Sequence, residues 1–351
     1  KTDVILFSRG DPLWFGIGRI LLENFSKEEL SFYPSNTCAQ LAFSKLKISW
    51  QEAIYVSIHG RDSTKLIEAL KSKPPSLAII TDSNNNGLEI IQNNLLELNL
   101  NNLYDLWICE EIGFENEKIR KFNPKEKLPS DISNLNIAVL LKREKDLQGK
   151  ANPLFGLKDD TFKTFEDRPN LLTKREVRIQ ILADLELPEN GTIWDIGAGC
   201  GSIGLEALKL RPNLKLFCID KRIGSKELIS ENARRLGVTP KDILEEDINN
   251  LFNSNNINSL KKAKRIIIGG CDKKTKVRII NELSKDMNCG DIISIPVIDI
   301  QTIKDLRETF KENNFEVNLN LIQTYKSLSI SEGIRIDPNN PVFLLKGRKL
   351  T

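Results

Sequence analysis

The sequence has little material for a metal centre and no long apolar run. Its 351 residues include one histidine, and its six cysteines form no Cys-x-x-Cys pair. We therefore expect no metal site and no histidine-based catalysis, and we interpret the cysteines as free thiols in the reducing cytoplasm. No apolar segment approaches the roughly 20 residues that span a bilayer, so a membrane protein is not expected either.

An excess of charge of one sign is also missing. The formal net charge is +3, which is too small to indicate a nucleic-acid partner. Local groups of lysine and arginine can still hold a polyanionic small molecule. A hydrophobic content of 40% and a charged content of 28% are typical of a globular protein, and the length suits two domains.

The first 142 residues alternate short apolar strands with helical stretches. Strands are predicted at residues 77–80, 106–110 and 136–141. The polar stretch that follows predicts a linker at residues 143–155. The chain begins at Lys1 and enters directly on the strand-like run 4–7, so we expect the N-terminal domain, residues 1–142, to be incomplete at its start.

From residue 156 to residue 351, strands and helices alternate strictly. Near-continuous apolar strands between helices predict a parallel sheet covered on both faces, which is the doubly wound α/β architecture. The last two strands, near Val317 and Val342, can pair antiparallel at one edge. Ligands of such folds bind at the carboxyl ends of the strands. The other predicted strands span residues 192–196, 214–219, 265–268 and 292–298, and the helices span 201–210, 225–236, 274–287 and 301–313.

A glycine-rich loop joins the first of these strands to the next helix. It consists of Asp195, Ile196, Gly197, Ala198, Gly199, Cys200 and Gly201. Glycines at such a turn let the backbone approach a ligand that any Cβ would hold off. The position of Asp195 suits a contact with the amino acid part of S-adenosylmethionine. Asp220, at the end of the next strand, suits the ribose hydroxyls, and Asp247 suits the adenine amino group.

These acids favour a methyltransferase over a dinucleotide oxidoreductase, which uses a similar glycine-rich turn. Enzymes that methylate exocyclic amines of bases commonly carry Asn/Asp-Pro-Pro-aromatic after the fourth strand, whereas this chain carries Gly269-Gly270. Methylation of a base amine is therefore not expected, and the two glycines predict a close backbone approach to a bulky substrate. An RNA or protein methyltransferase is the alternative interpretation.

The segment before the glycine-rich loop carries further candidate residues. Thr173 and Glu176 have the spacing of a helix capping box, and a cofactor-binding Thr173 is the alternative. Lys174, Arg175 and Arg178 either bind carboxylates of a substrate or form a solvated helix face.

Four motifs of the C-terminal half arrive in the order of a known family. They are Gly156-Leu-Lys-Asp-Asp-Thr-Phe, Thr173-Lys-Arg-Glu-Val-Arg, Trp194-Asp-Ile-Gly-Ala-Gly-Cys-Gly-Ser-Ile-Gly and Arg265-Ile-Ile-Ile-Gly-Gly. Together they resemble the decarboxylating precorrin methyltransferases of cobalamin biosynthesis. The resemblance runs from near Asn152 to the C-terminus and implies a Rossmann-like class I methyltransferase fold.

Four motifs of the N-terminal half are similar to those of the tetrapyrrole (corrin/porphyrin) methylases. They are Ser8-Arg-Gly-Asp-Pro-Leu-Trp-Phe-Gly-Ile-Gly, Tyr33-Pro-Ser-Asn-Thr, Ser57-Ile-His-Gly-Arg and Thr81-Asp82. That family begins with a strand and a Gly-Pro-Gly-like loop, which have no counterpart before Lys1. Arg9 is a second departure, since a small residue is expected there. The order of the two halves resembles that of fused corrin methyltransferases.

The resemblance implies roles for individual residues. S-adenosylmethionine would contact Thr173, the loop from Gly197 to Gly201, Asp220 and the backbone of Asp247 and Ile248, and a second molecule would face Gly10, Asp11 and Pro12. For a substrate rich in carboxylates, the candidate contacts are Lys174, Arg178, Gly269 and Gly270. Asp159, Asp160 and Arg175 are the catalytic candidates, the two aspartates by position only.

The resemblance also implies the reaction and the partners. The C-terminal half would methylate carbon 15 of a precorrin or cobalt-precorrin and release carbon dioxide from the ring C acetate, and the N-terminal half would methylate carbon 5. The protein mainly has to hold a nucleophilic carbon in line with the activated methyl group and exclude water. A homo-oligomer, with a tetramer formed through the C-terminal half, is expected. Alternatively, the N-terminal half acts only as a docking module.

Overall fold

The computed structural model describes residues 4–8, 10–60, 62–81, 86–143, 153–169, 171–253, 263–330 and 333–351. The chain divides into two compact units, Lys1–Ala151 and Asn152–Thr351, called here the N-terminal and C-terminal units. Most of the predicted linker at 143–155 lies outside the described residues. Arg9, Arg61 and Asp82 of the N-terminal motifs lie outside them as well.

The N-terminal unit is built on a five-stranded sheet with helices on both faces. Its strands are β1 (Ile54–Ser57), β2 (Ser76–Ile80), β3 (Tyr104–Glu110), β4 (Lys118–Phe122) and β5 (Asn136–Lys142), and its helices are α1 (Gly18–Asn24), α2 (Cys38–Leu46), α3 (Thr64–Ser72) and α4 (Gly87–Glu97). The strand order is β1-β2-β5-β3-β4, with β1 and β2 parallel. Successive residues of β2 face opposite sides, so Leu77 packs in the core with α3 and α4, and Ala78 packs in the core with α2.

The apolar run at the start of the chain does not form the expected strand. Residues 4–8 have no regular structure, and Val4 and Phe7 have exposed fractions of 89% and 92%. A strand persists only where a neighbour satisfies its backbone amides and carbonyls. Since no described strand pairs with this run, the expectation was wrong.

The C-terminal unit contains a seven-stranded sheet and a separate two-stranded sheet. The strands are β6 (Gly191–Ile196), β7 (Leu214–Asp220), β8 (Asp242–Glu245), β9 (Ala263–Ile268), β10 (Ile292–Val297), β11 (Phe315–Ile322), β12 (Tyr325–Ile330), β13 (Gly333–Pro338) and β14 (Val342–Lys349). The large sheet has the order β11-β14-β10-β9-β6-β7-β8, and its five strands from β10 to β8 are parallel.

Helices cover both faces of the large sheet. They are α5 (Arg175–Asp184), α6 (Ser202–Leu210), α7 (Ser225–Leu236), α8 (Ile248–Asn253), α9 (Lys273–Leu283) and α10 (Ile300–Glu312). Ile193 of β6 faces the core formed with α5, α6 and α7, whereas Trp194 faces the core formed with α8, α9 and α10. The prediction of a doubly wound α/β sheet is therefore confirmed.

The last strands differ in part from the prediction. β11 and β14 pair antiparallel at one edge of the large sheet, as expected. They are not consecutive, however, because the antiparallel hairpin of β12 and β13 lies between them in sequence. None of the helices in the described part of the chain combines the length and the apolar character that a bilayer crossing requires.

Candidate functional site

The order of the large sheet reverses next to β6. From β6 the chain continues to β7 and β8 on one side, and it then crosses to β9 and β10 on the other side. Because these strands are parallel, their carboxyl ends lie at one edge. The crevice at such a reversal is where doubly wound folds bind ligands. The glycine-rich loop follows β6 directly and so lies at this point.

The loop adopts a backbone shape that suits glycine. Gly197, Gly199 and Gly201 have φ angles of 69°, 59° and 76°, which side chains rarely tolerate. A Cβ added to Gly199 would find Leu171 O at 4.0 Å as its nearest neighbour, so this side of the loop is open. A side chain there would fill space that a ligand can use.

Asp220 ties the loop to the end of β7. Its carboxylate accepts a hydrogen bond from the Gly199 amide at 2.7 Å through Oδ2 and another from the Arg222 amide at 2.9 Å through Oδ1. The Gly197 amide also donates to Ile219 O, at 2.8 Å. Asp220 is half-buried, so a ligand in the crevice can still reach it.

Asp195 has a different environment from Asp220. Its exposed fraction is 1%, and Oδ2 accepts a hydrogen bond from the Gly204 amide of α6 at 2.9 Å. Burial raises the pKa of this carboxyl to about 7, and the neighbouring Asp220 adds to the increase. The carboxylate therefore faces α6 rather than the crevice. A supporting role for Asp195 replaces the expected direct contact with the cofactor.

The two glycines after β9 serve different purposes. A Cβ on Gly269 would lie 2.7 Å from Gly197 O, and one on Gly197 would lie 2.7 Å from the Gly270 amide nitrogen. Gly269 is thus required by the contact between two loops of this chain, which corrects the explanation by a bulky substrate. A Cβ on Gly270 would meet nothing within 4 Å, so Gly270 is the glycine that borders open space.

Asp247 and Ile248 lie at the end of β8, beyond Asp220. Asp247 Oδ1 accepts a hydrogen bond from the Asn249 amide at 2.9 Å, and Oδ2 forms an ion pair with Lys221 at 3.6 Å. The side chain of Ile248 is buried in the core under β9. Asp247 therefore begins α8 and presents a partly exposed carboxylate at the same edge as Asp220.

Arg178 is the centre of a buried network rather than a surface clamp. Its exposed fraction is 0%, and its Nε donates to Glu206 Oε2 at 2.6 Å. Its Nη1 donates to Thr173 O at 2.7 Å, and its Nη2 donates to the Leu157 carbonyl. Glu206 Oε1 accepts in turn from the Gly156 amide at 2.6 Å. Arg178 is fully buried and four of its five N–H groups are hydrogen-bonded within the chain, so the prediction of a substrate contact is corrected.

The same network holds the segment that carries the catalytic candidates. Arg178 Nη1 lies 3.3 Å from Asp159 Oδ1, and Lys326 of β12 lies 3.8 Å from Asp159 Oδ2. Arg175 Nε donates to Gly156 O at 2.7 Å. Asp160 is exposed. Arg175 thus fixes the backbone of this segment, and Asp159 is held between two cations.

The capping interpretation of Thr173 and Glu176 was wrong. Helix α5 begins at Arg175, its N-cap is Lys174, and no side chain caps it. Thr173 contributes its carbonyl to Arg178 instead, because that arginine reaches back across the first turn. Thr173 and Lys174 are both half-buried, which leaves a ligand contact open to each.

In the N-terminal unit, two of the motifs come together. Asp11 Oδ1 accepts from the Leu13 amide at 2.9 Å, and Oδ2 accepts from the Ser35 amide at 3.4 Å. A Cβ on Gly18 would lie 2.5 Å from Pro12 O, so the loop closes tightly. Gly10 has a φ of 67°. The loop Gly10–Pro12 therefore borders an open depression that Asp11 lines.

Sequence reasoning missed two functional candidates, Glu206 and Lys276. Both are charged residues on the buried faces of helices, with exposed fractions of 0% and 9%. A charged residue within an apolar helical stripe is a recognisable pattern. Marking the apolar positions of α6 and α9 at the helical period of 3.6 residues would have identified both charged residues.

Comparison with known proteins agrees with this geometry. Residues 163–347 match the model of the precorrin methyltransferase domain, and residues 1–127 match that of the tetrapyrrole (corrin/porphyrin) methylases. The loop after β6, Asp220 and the two glycines after β9 all fall within the first match. The Gly10–Pro12 loop falls within the second.

Curated relatives cover the two halves differently. A Sinorhizobium sp protein named precorrin-6Y C(5,15)-methyltransferase [decarboxylating] is 27% identical over 247 residues, which are 70% of this chain and 57% of the relative. The match therefore spans little more than half of that relative. A Saccharolobus solfataricus protein named probable cobalt-precorrin-6B C(15)-methyltransferase (decarboxylating) is 30% identical over 198 residues, 55% of this chain and 96% of the relative.

A third relative matches the first half. A Methanocaldococcus jannaschii protein named probable cobalt-precorrin-7 C(5)-methyltransferase is 27% identical over 142 residues, which are 40% of this chain and 65% of the relative. The domain match at residues 163–347 covers more than half of the chain. The chain therefore belongs to the precorrin methyltransferase domain family.

Proposed function

We propose that the C-terminal unit binds S-adenosylmethionine at the carboxyl edge of its large sheet and methylates carbon 15 of a precorrin-type tetrapyrrole. The same reaction releases carbon dioxide from the ring C acetate. The observation that carries this proposal is the open glycine loop at the strand-order reversal, tied by its Gly199 amide to the half-buried Asp220 carboxylate. The Saccharolobus relative, matched over 96% of its length, supports the choice of reaction.

The residues at this edge fit the nucleoside part of the cofactor. Each oxygen of Asp220 accepts one backbone hydrogen bond, which leaves a second lone pair on each for a ribose hydroxyl. Gly199 leaves open space beside the loop, as its added Cβ shows. Asp247 lies farther along the edge, where it would meet the adenine, and Thr173 and the backbone of Ile248 complete the proposed contacts.

The proposed chemistry asks the chain for positioning more than for proton transfer. S-adenosylmethionine supplies a methyl group already activated by its sulfonium. The chain must hold the acceptor carbon in line with this group and keep water out. Arg175 and Arg178 fix the segment that carries Asp159 and Asp160, so we assign the arginines a positioning role. Asp159 and Asp160 remain our candidates for assisting the loss of carbon dioxide.

For the N-terminal unit we propose methylation of carbon 5, with the cofactor at the Gly10–Pro12 loop. The family match at residues 1–127 and the Methanocaldococcus relative support this assignment. The contact between Asp11 and the Ser35 amide supports a single site built from two motifs. We place both reactions in the cytoplasm.

We also propose that the chain forms a homo-oligomer through its C-terminal unit. The hairpin of β12 and β13 supports this, because Ile334 and Ile336 share one of its faces and have exposed fractions of 71% and 59%. Light scattering on the wild type and on an Ile334→Asp, Ile336→Asp double variant tests it. A wild type that is already monomeric would contradict it.

The cofactor site is tested by calorimetric titration of S-adenosylhomocysteine. We expect the wild-type chain to bind it and Asp220→Ala to bind about tenfold more weakly or worse, which is roughly 1.4 kcal/mol. Asp242→Ala is the matched control. Asp242 is the first residue of β8 and pairs with Phe217 of β7, so it lies away from the carboxyl edge where Asp220 lies. A component of binding whose affinity is the same in wild type and in Asp220→Ala would report on the N-terminal unit. A wild type that binds nothing would contradict the proposal, and a nicotinamide cofactor would then be titrated.

A further inference from the structure

Helix α9 carries a lysine on its buried face. Ile279, Ile280 and Leu283 of this helix are buried in the core against the sheet, at exposed fractions of 0%, 0% and 4%. Lys276 precedes them by one turn on the same face and has an exposed fraction of 9%. The apolar stripe of α9 therefore ends in a lysine whose side chain is largely buried, while its ammonium keeps access to solvent at the helix end nearest the carboxyl edge.

The Lys276 ammonium lacks a partner. Within the ranges that the structure describes, no hydrogen bond or ion pair is formed by this group. Its nearest acids are committed elsewhere: Asp272 accepts from the Thr275 amide at 3.0 Å, and Asp299 accepts from the Thr302 amide at 3.2 Å. An ammonium that keeps access to solvent and has no partner among the described residues costs the fold little and can accept an anionic ligand.

Burial lowers the pKa of Lys276, and the nearby carboxylates of Asp272 and Asp299 only partly offset the effect. An anion placed near the ammonium would reverse this shift and stabilise the charged form. The group is therefore better suited to an incoming carboxylate than to its present surroundings.

The position of Lys276 is on the opposite side of the strand-order reversal from Asp220. Its neighbours Cys271 and Asp272 follow β9, and its neighbour Asp299 follows β10, so the ammonium lies near the carboxyl ends of these two strands. Gly270, which borders open space, belongs to the same loop. If the nucleoside of the cofactor binds at the carboxyl ends of β7 and β8, the space at the carboxyl ends of β9 and β10 is left for the methyl acceptor.

We propose that Lys276 binds a carboxylate of the tetrapyrrole substrate and so sets its orientation at the methyl-transfer site. This inference rests on the proposed function, because it requires an acceptor that carries carboxylates. It assigns the basic contact with the substrate to α9 instead of α5, because Arg178 of α5 is fully buried and paired with Glu206. A lysine suits this task because its ammonium donates to one carboxylate in several directions.

The experiment measures steady-state kinetics with cobalt-precorrin-6B, the compound in the name of the Saccharolobus relative, for wild type, Lys276→Met, Lys276→Arg and Lys274→Met. Lys274 is the matched control because it lies on the exposed face of the same helix. We expect Lys276→Met to raise KM by about tenfold or more while kcat changes less. Lys276→Arg should recover part of this loss, and Lys274→Met should resemble wild type.

Titration of S-adenosylhomocysteine into each variant reports on the fold and on the cofactor side alone. A Lys276→Met chain with wild-type KM would overturn the role of Lys276 while leaving the proposed function intact. A wild type that binds S-adenosylhomocysteine yet methylates neither cobalt-precorrin-6B nor precorrin-6B would overturn the proposed function, and this inference with it. If Lys276→Met loses cofactor binding, Lys276→Gln takes its place under the same KM criterion.

Discussion

Two buried cations lie on opposite faces of the same sheet, and their surroundings differ completely. Arg178, on α5, donates to Glu206 of α6, to Thr173 O and to the Leu157 carbonyl. Lys276, on α9, has a low exposed fraction of 9% but no hydrogen bond or ion pair to any residue that the structure describes. Both side chains are thus largely buried, but only Arg178 is hydrogen-bonded to other groups of the chain.

The comparison shows how to separate structural from functional charge. A buried cation that is hydrogen-bonded to a buried carboxylate contributes to holding the fold, and removing it leaves that carboxylate charged and alone. A lysine whose stem is buried but whose ammonium has no partner adds little to the fold and can respond to a ligand. The two carboxylates of the site differ in the same way. Asp195 is buried against α6, whereas Asp220 is half-buried at the edge of the crevice.

The largest effect is expected where the pairing is complete. Arg178→Met leaves Glu206 buried without its cation, and we expect the free energy of unfolding to fall by about 3–5 kcal/mol. Urea unfolding measures this change. Lys273→Met is the control, because the pair of Lys273 with Asp305 is solvent-exposed and should contribute at most about 1 kcal/mol. Equal losses of stability in the two variants would contradict the claim that the buried pair holds the fold more strongly than the exposed pair.

The next effect separates the two glycines that border the site. Gly269→Ala places a Cβ 2.7 Å from Gly197 O, so we expect a loss of about 1–3 kcal/mol of stability and weaker cofactor binding. Gly270→Ala meets no atom within 4 Å and should change stability by less than about 0.5 kcal/mol. Thermal unfolding with and without S-adenosylhomocysteine compares them. A tolerated alanine at Gly269 would contradict the loop contact.

The third effect is a slope with pH rather than a single loss, and it is contributed by Asp195. Its pKa is raised to about 7 by burial, so between about pH 4 and pH 7 the folded chain binds a proton that the unfolded chain has lost. Stability from this group is therefore full at low pH and falls as the pH rises through that window, by at most about 1.4 kcal/mol per pH unit. Asp195→Asn should flatten this slope in urea titrations, whereas Asp242→Asn should preserve it.

The smallest effect is expected for the stability of Lys276→Met. Removing the lysine leaves no partner unpaired. The free energy of unfolding should therefore change by less than about 1 kcal/mol, in either direction. Urea unfolding beside Arg178→Met is the direct comparison. A loss of about 3 kcal/mol or more would mean that Lys276 is paired in solution and would remove the distinction between the two faces.

The sequence allowed the doubly wound sheet and its glycine loop to be predicted, because both are local patterns. The alternation of apolar strands and helices and the position of Asp220 after β7 follow from a few adjacent residues. The pairing of Arg178 with Glu206 joins positions 28 residues apart, and no local pattern specifies it. Arg178 therefore looked like a surface clamp until its burial was known.

Other features needed tertiary structure for the same reason. The contact between Gly197 and Gly269 joins the ends of two strands, so the second glycine was attributed to a substrate. The run Val4–Phe7 has the composition of a strand, but a strand also requires a neighbour. Lys276 was visible as a break in an apolar stripe, yet its lack of a partner depends on where Asp272 and Asp299 direct their carboxylates.

The most direct test of the account is mass spectrometry of the product formed from cobalt-precorrin-6B and S-adenosylmethionine with an isotopically labelled methyl group. The account predicts that the tetrapyrrole loses one carbon dioxide and gains a labelled methyl group at carbon 15, followed by a second labelled methyl group at carbon 5 from the N-terminal unit. It also predicts that Asp220→Ala abolishes or strongly slows the formation of the decarboxylated product. An unchanged tetrapyrrole in the presence of a wild-type chain that binds S-adenosylhomocysteine would contradict the account.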